Sequence, residues 1–181
     1  YENDNGTWAQ IGDDIEGESS YDYSGHSVSL SADGSVVAIG AYGNDATSQD
    51  AGHVRIYENN NGTWTQIGDD IDGEAYGDNS GRSVSLSSDG SVVAIGALYN
   101  DGNGSNSGHV RVYKNINGTW TKMGSDIDGE SSGDYSGWSV SLSNEGTVVA
   151  VGAIYNDNAS TNAGHVRIYQ NIGTTALTFT T

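Results

Sequence analysis

The pattern of apolar and polar positions along the chain has a period of two and returns three times. In the middle of the chain, SVSLS (83–87) alternates polar with apolar residues, and VVAIGA (92–97) is apolar throughout. Alternation resumes at HVRVY (109–113), and a fourth short segment follows at WTKM (120–123). Alternation predicts half-buried strands, and a short apolar run predicts a strand buried on both faces. This part of the chain is therefore predicted to contain four strands and no helix.

Two-residue turn signals separate these strands. Asp89-Gly90 lies between the first and second strands, and Asn117-Gly118 lies between the third and fourth strands of such a unit. Turns of this kind need positive φ angles, which Gly and Asn adopt at little cost. We therefore predict that the strands form an antiparallel meander, in which neighbours in sequence are paired in the sheet.

Each unit opens with a tyrosine 56 residues after the previous one. The chain is thus a single repeat array with units 1–56, 57–112 and 113–168, followed by a C-terminal strand or tail, 169–181. Four-stranded units at a spacing of this kind are typical of propeller blades, and a flat sandwich or a β-solenoid is the alternative. The predicted fold class is all-β, with three tandem four-stranded antiparallel meanders that form β-propeller blades, closed or extended by assembly.

Three recurring segments carry a family resemblance: SGHSVSLS (24–31), VVAIGA (36–41) and AGHVRIY (51–57). They resemble the FG-GAP repeats of integrin α-chain propellers, and more closely the degenerate forms in surface proteins of marine microbes and algae. The resemblance implies a propeller fold and a place at the cell surface. Three departures stand out. Ser24-Gly25 replaces the family's Phe-Gly, Tyr42 replaces its Pro, and a tight turn at Asp33-Gly34 replaces its Asp-rich calcium loop. The calcium function of that loop therefore does not carry over.

Three blades are too few to close a propeller, which needs at least about four. Open blade faces invite pairing, so we predict self-association, either as a dimer that closes a six-blade ring or as a polymer. A piece of a larger propeller is the third alternative. Residues 1–12 are predicted to supply a fourth strand at one end, and the tail TTALTFTT (174–181) could supply the corresponding strand at the other.

Charge and composition limit the classes of partner that we expect for this chain. The 181 residues include 24 Asp and Glu against 6 Lys and Arg, which gives a formal charge of -18. Nucleic acid and anionic membranes are therefore not expected as partners. No apolar run is long enough for a membrane span, and the absence of Cys excludes disulfides and thiolate metal sites. We expect an extracellular or cell-surface location, with glycans or surface proteins as the partners to consider.

Acidic residues alternate in the long connections between blades, on one rim of the array. Alternating carboxylates can hold Ca²⁺, which takes six to eight oxygen ligands, and a solvated acidic rim is the alternative. The candidate Ca²⁺ ligands are Asp14, Glu16, Glu18, Asp70, Asp72, Glu74, Asp126, Asp128 and Glu130.

Other polar residues recur once per blade. His53, His109 and His165 are predicted to pack or bond between blades rather than to form a metal triad, because equivalent positions fan apart. The arginines two residues later are predicted to form blade-to-blade ion pairs with the Asp residues of the DDI motif. The tryptophans of the fourth strands are predicted packing residues, and stacking on sugars is the alternative.

One position breaks the symmetry of the repeats. It is occupied by His26, Arg82 and Trp138, each beside a Gly at the start of an innermost strand. This places the three residues near the centre of the long-loop face, where propellers commonly bind ligands, although drift at an exposed position explains them equally well. Tyr99 and Asn100 on the same face are further candidate ligand contacts.

Five asparagines begin Asn-x-Ser/Thr and would be exposed glycosylation sites in a eukaryotic secreted protein. They are Asn5, Asn61, Asn103, Asn117 and Asn158. Three of them belong to Asn-Gly turns, so turn chemistry explains those three without glycans.

Enzyme chemistry is not expected, because every acid, His and Ser of interest is repeated, whereas catalytic sites usually break a repeat's symmetry. The predicted function is that of a non-enzymatic extracellular repeat protein for adhesion or structural assembly, as a surface or filament component. A carbohydrate-binding propeller lectin with one site per blade is the alternative.

Overall fold

The computed structural model describes residues 2–4 and 6–171, and every element in these residues is a strand. Asn5, the last ten residues 172–181 and the strand predicted within them lie outside the described residues. A short N-terminal hairpin comes first, formed by β1 (Glu2–Asp4) and β2 (Thr7–Ala9).

Three antiparallel sheets follow the hairpin, one for each repeat. The first blade contains β3 (Ser27–Leu30), β4 (Val36–Ala41), β5 (His53–Asn60), β6 (Thr63–Gln66) and β7 (Ile71–Asp72). The second blade contains β8 (Ser83–Leu86), β9 (Val92–Ala97), β10 (His109–Ile116), β11 (Thr119–Lys122) and β12 (Ile127–Asp128). The third blade contains β13 (Ser136–Leu142), β14 (Val148–Ala153) and β15 (His165–Gln170).

The strand order in each sheet follows the sequence, which confirms the predicted all-β meanders. The blades are offset from the sequence units, because Tyr57 and Tyr113, which open two units, lie within β5 and β10. Consecutive blades lie side by side through their innermost strands, as in a propeller. Among the described residues, no helix has the length and apolar character needed to cross a bilayer.

The outermost strand of the first two blades is divided into two pieces, which the sequence pattern did not predict. In the first blade, β6 pairs with the C-terminal half of β5, and β7 pairs with its N-terminal end. Gly68 lies between the two pieces with a φ of 72°. A side chain there would overlap the carbonyl oxygen of Gly118 in the next blade, so the interruption accommodates the neighbouring blade.

The apolar core lies between blades. Val54 and Ile56 of β5 are buried in one cluster with Val84 and Leu86 of β8 in the next blade. A second cluster joins the second and third blades through Val110 and neighbouring residues of β9 and β14. Each blade therefore contributes one apolar face to each of its neighbours, and burial of these faces is the main stabilising term.

Small residues allow the innermost strands of neighbouring blades to approach closely. The Ser27 hydroxyl donates a hydrogen bond to the Gly81 carbonyl oxygen at 2.7 Å, and Ser83 donates to Gly137 at the same distance. A Cβ atom on Gly96 would overlap the same carbonyl oxygen of Gly137. These contacts hold the innermost strands of the three blades together. The residues at the N-terminal ends of these strands therefore lie close to one another.

Candidate functional site

The symmetry-breaking residues His26, Arg82 and Trp138 meet at the N-terminal ends of the innermost strands. The Arg82 guanidinium carbon lies 4.9 Å from the centroid of the Tyr42 ring and 5.8 Å from that of Trp138. Arg82 Nη1 is 2.6 Å from His26 Nε2. The structure thus brings together three residues, one from each blade, that lie 56 positions apart along the chain.

The His26 ring is suited to accept a hydrogen bond. Burial, followed by the positive charge of Arg82, lowers the pKa of His26 below its ordinary value. The neutral imidazole has one nitrogen with a free lone pair, which can accept a hydrogen bond from the Arg82 guanidinium. Arg82 therefore retains further N–H groups for an external acceptor.

Tyrosines extend this surface. Tyr23 stacks on Tyr42 with ring centroids 5.0 Å apart, and Tyr135 contacts Tyr99 edge to face at 5.4 Å. We call the surface formed by His26, Arg82, Trp138, Tyr23 and Tyr42 the aromatic face. The rings of tyrosines 99, 135 and 155 form a second group in mutual contact. Aromatic rings around a cation can bind the faces of sugars or the side chains of another protein.

Asn100 occupies a different environment from Tyr99. It is buried, its amide nitrogen donates to Asp78 Oδ2 at 3.0 Å, and its side-chain oxygen accepts from the Gly102 N–H at 2.8 Å. Equivalent Asn–Asp hydrogen bonds occur in the other two blades. The Asn100 side chain thus stabilises the long connections through its own hydrogen bonds, whereas Tyr99 is exposed at the surface.

A second candidate site contains a histidine and two carboxylates in the first blade. We call it the first-blade cluster, and it consists of Glu18, His53 and Asp70. His53 projects from β5, Glu18 lies in the connection that enters the blade, and Asp70 lies at the break between β6 and β7. His53 Nδ1 is 3.7 Å from Asp70 Oδ2 and 3.9 Å from Glu18 Oε2. Asp70 also accepts a hydrogen bond from Gln66 at 2.6 Å.

The equivalent second-blade cluster contains Glu74, His109 and Asp126. Here Arg111 forms a bidentate pair with Asp126 at 2.9 and 3.0 Å and also contacts Glu74, and Lys122 Nζ is 2.8 Å from Asp126. Burial raises the pKa of Asp126, but hydrogen bonds from Arg111 and Lys122 outweigh burial and hold the pKa at about 2. Burial and the Arg111 charge lower the pKa of His109.

The third blade repeats part of this arrangement. His165 Nδ1 is 3.7 Å from Glu130, and Arg167 forms an ion pair with the same carboxylate. Each histidine therefore has its own acidic partner, as expected from blades that fan apart. The predicted blade-to-blade ion pairs of the arginines need correction, because Asp126 and Arg111 belong to the same blade and the acid that comes from the preceding connection is Glu74.

The predicted Ca²⁺ ligands are divided between neighbouring clusters. Asp70 belongs to the first-blade cluster, whereas Glu74, only four residues later, contacts Arg111 of the next blade. Asp14 accepts from Gln10, and Asp72 pairs with His53 in the β5–β7 ladder. Burial, followed by the negative charge of Asp70, raises the pKa of Asp72. Acidic residues that are close in sequence thus contact residues of different blades.

The remaining acids in the predicted set lie nearby. Glu16 offers its backbone carbonyl oxygen to Arg55 at 2.7 Å. Asp128 lies in β12 opposite His109. Glu130 accepts from Asn158 at 2.8 Å in addition to its pair with Arg167.

The turn that replaces the family's calcium loop does not fit a calcium ion. Asp33 Oδ1 accepts hydrogen bonds from the Ser35 N–H and from the hydroxyls of Ser31 and Ser35, at 2.7 to 3.0 Å. These bonds, the Ser35 N–H foremost, lower the pKa of Asp33 to about 2. The carboxylate therefore caps its own turn and is not free to bind an ion.

Repeated clefts lie beside the outer strands of the first two blades, each between a blade and the segment that precedes it. One cleft of about 340 Å³ is lined by Trp64, Tyr57, Asp13 and Asp14, and an equivalent cleft of about 300 Å³ is lined by Trp120 and its neighbours. The Trp64 indole N–H donates to the Ile11 carbonyl oxygen at 2.9 Å, so this ring also joins the first blade to the segment that follows β2. Each cleft thus combines an aromatic ring with carboxylates.

The asparagines of the glycosylation motifs differ in their surroundings. Asn61 and Asn117 are exposed at positive φ in hairpin turns. Asn103 donates to the Gly129 carbonyl oxygen at 2.8 Å and Asn158 donates to Glu130, so these two amides are already hydrogen-bonded.

Comparison with protein families finds a model described as FG-GAP repeat at residues 16–57, 70–113 and 126–169. The chain belongs to the FG-GAP repeat family. Each match begins near the connection that enters a blade and ends in the blade's third strand, so the family repeat confirms the resemblance found in the sequence. Among curated proteins, no sequence matches this chain.

Two solved structures share the fold of this FG-GAP repeat array. Kuenenia stuttgartiensis hydrazine synthase is 10% identical, with a TM-score of 0.52 over 87% of this chain and 35% of that structure. The periplasmic gluconolactonase PpgL of Pseudomonas aeruginosa is 16% identical, with a TM-score of 0.51 over 80% of this chain and 38% of that structure. The chain thus spans little more than a third of either structure.

These likenesses correct one expectation from the sequence. Both proteins are named as enzymes, so the expectation of no enzyme chemistry, which rested on the repetition of the candidate residues, is corrected: blades of this fold also occur in enzymes. At these identities the likeness concerns the fold alone, and blades of this kind occur in proteins with and without enzyme activity.

Proposed function

We propose that this chain is a repeat module of an extracellular or cell-surface protein and that it acts in adhesion or structural assembly through its blade faces. FG-GAP repeats are typical of surface proteins, which supports the location. The formal charge of -18 supports solubility outside the cell and disfavours anionic partners.

The observation that carries the proposal is the exposure of two apolar faces. Val166 and Ile168 on β15 are 68% and 72% exposed, whereas the equivalent Val54 and Ile56 on β5 are 0% and 1% exposed. At the other end of the array, Val28 on β3 is 63% exposed, whereas its equivalent Val84 is 9% exposed.

The two end faces are complementary to each other. The face of β15 matches the face of β5, which packs against β8 inside the array. The face of β3 in turn matches that of β8. A second copy of the chain can therefore place its β3 face against β15 with the same contacts that join the first and second blades. Two chains that contact each other at both end faces would close a ring. Chains that contact a different partner at each end face would form a filament.

Sedimentation velocity over a range of concentrations tests this assembly. The wild-type chain is expected to form species larger than the 18.8 kDa monomer. Ile168→Asp, which places a charge on the exposed end face, is expected to give a folded monomer. Thr121→Asp is the matched control, because Thr121 is exposed and lies opposite Lys114 in the β10–β11 ladder. A folded wild-type monomer at every concentration would contradict the proposal.

Carbohydrate binding with one site per blade is the second candidate function, and the repeated clefts favour it. Trp64 and Trp120 offer partly exposed aromatic surface, and the neighbouring carboxylates can accept hydrogen bonds from sugar hydroxyls. Binding to a glycan array tests this function.

Asp13→Asn and Asp69→Asn each change one cleft without removing a tryptophan. Lectin function predicts that each variant retains the wild-type melting temperature and loses part of the glycan binding, and that the double variant loses most of it. Arg82→Ala serves as the comparison, because it alters the aromatic face and leaves both clefts intact.

A further inference from the structure

The first-blade cluster has a histidine whose polar atoms are unsatisfied. His53 is 1% exposed, and within the described part of the chain neither of its ring nitrogens has a hydrogen-bond partner. Leaving a buried polar group without a partner is energetically costly, so native proteins seldom do so without a reason. Nδ1 of this ring points at two carboxylates, those of Glu18 and Asp70, at 3.9 and 3.7 Å.

The spacing of these atoms suits a metal ion. The ligand atoms of Glu18, His53 and Asp70 all lie within 4.8 Å of one another. A tetrahedral ion with bonds of about 2.0–2.2 Å holds its ligand atoms roughly 3.4 Å apart, so small side-chain rotations would complete the site. One imidazole and two carboxylates favour a borderline ion such as Zn²⁺, because Ca²⁺ requires six to eight oxygen ligands.

The second-blade cluster has the same three residue types but different cations. Lys122 stands where the first blade has Gln66, and Ser125 stands where it has Asp69. Arg111 contacts both Glu74 and Asp126, and Lys122 adds a second positive charge. These two cations already neutralise the two carboxylates of the second blade.

The first blade is neutralised only in part, because in the described part of the chain it has one cation, Arg55, where the second blade has two. Arg55 donates to the backbone carbonyl oxygen of Glu16 at 2.7 Å and lies 3.6 Å from Glu18, and Asp70 receives only the neutral amide of Gln66. The first-blade cluster therefore carries an excess of negative charge around a buried imidazole, which a divalent ion would balance.

We propose that Glu18, His53 and Asp70 bind one Zn²⁺-like divalent ion, with water at the remaining coordination position, and that the second-blade cluster does not bind such an ion. The ion would join the connection that carries Glu18 to β5 and to the break between β6 and β7. It would thus link the first blade to the segment that precedes it.

Zn²⁺ titration of chelator-treated protein, by calorimetry and by elemental analysis after dialysis, tests the site. We expect one ion per chain, at least tenfold weaker binding in His53→Ala, and unchanged binding in the matched control His109→Ala. Gln66→Lys introduces the cation of the second blade and is expected to weaken binding at least tenfold with His53 in place. Absence of Zn²⁺ binding by the wild-type chain, or equal loss in the two histidine variants, would overturn the proposal.

A converse variant tests the charge argument and does not depend on His53→Ala folding. Lys122→Gln combined with Ser125→Asp gives the second-blade cluster the charges of the first. The stoichiometry is expected to rise from one ion to two, and a stoichiometry that stays at one would contradict the role assigned to charge. In the wild-type chain, Zn²⁺ is expected to shift the imidazole NMR signals of His53 but not those of His109, and the reverse result would reject the site.

Discussion

The interior and the ends of the array present the same residues in opposite environments. Val54 and Ile56 are buried against the second blade, whereas Val166 and Ile168 occupy the same positions of the third blade and are exposed. The segment AGHVRIY is identical at 51–57 and 163–169, so the difference arises from the neighbouring blade and not from the strand itself. Each blade thus has an apolar contact surface. Inside the array the next blade covers this surface, and at the ends it is exposed.

This comparison also explains why strands of the same sequence have different roles. Inside the array, burial of an apolar side chain contributes about 1.5–3 kcal/mol to folding. At the ends, the same side chains contribute to folding only when another blade covers them. Stability and assembly are therefore two uses of one surface, and substitutions at equivalent positions should separate them.

The largest expected difference is between Ile56 and Ile168. Ile56→Ala removes a fully buried side chain and is expected to lower the free energy of unfolding by about 2–5 kcal/mol. Ile168→Ala removes an exposed one and is expected to change the free energy of unfolding of the monomer by less than about 0.5 kcal/mol. Urea denaturation at a concentration where the chain is monomeric measures both, and equal effects would contradict the comparison.

Tryptophan gives the next comparison. Trp64→Ala removes a ring that packs against Gly12 and donates to the Ile11 carbonyl oxygen, with an expected loss of about 3 kcal/mol. Trp8 is 67% exposed, so Trp8→Ala is expected to cost less than about 1 kcal/mol. Thermal unfolding followed by circular dichroism gives the measurement. A Trp64→Ala protein with wild-type stability that no longer binds glycans would favour the lectin function.

The strand pattern predicted most of the fold. Alternation at Val84 and Leu86 and the turn at Asp89-Gly90 are local signals, and the meander follows from them. The break between β6 and β7 could not be predicted in this way. It depends on the close approach of Gly68 to Gly118 in the next blade, and such a contact has no signature within one strand.

The candidate sites were predicted unevenly for the same reason. The meeting of His26, Arg82 and Trp138 could be predicted, because the innermost strands of a propeller converge and these residues begin them. The first-blade cluster could not be predicted from the sequence, because Glu18 and Asp70 come from different repeats. The sequence grouped Asp70 with its neighbour Glu74, whereas the fold assigns these two acids to different blades.

Glycines at the blade interface give a smaller effect. Gly96→Ala would place a Cβ atom against the backbone carbonyl of Gly137, which cannot move without separating two blades. We expect a loss of about 1–3 kcal/mol. Gly152→Ala at the end of the array would meet the hydroxyl of Ser139, which can rotate, so its effect is expected to be smaller. Urea denaturation of both variants checks the order, and a larger loss in Gly152→Ala would contradict it.

The smallest expected effect concerns the pH dependence of the second-blade cluster. The pKa of Asp126 is about 2 in the folded chain against 3.8 for an ordinary Asp, because its hydrogen bonds from Arg111 and Lys122 outweigh burial. The folded pKa is lowered, so the stabilisation is fully present above pH 3.8 and is lost as the pH falls through about 2.

Asp126→Asn is expected to lower stability by about 1–2 kcal/mol at pH 7. Its melting temperature should converge with that of the wild type near pH 2, and exposed Glu145→Gln, which removes the same charge elsewhere, should show neither effect. A difference between wild type and Asp126→Asn that persists unchanged from pH 7 to pH 2 would mean that the carboxylate charge is not what Arg111 and Lys122 recognise.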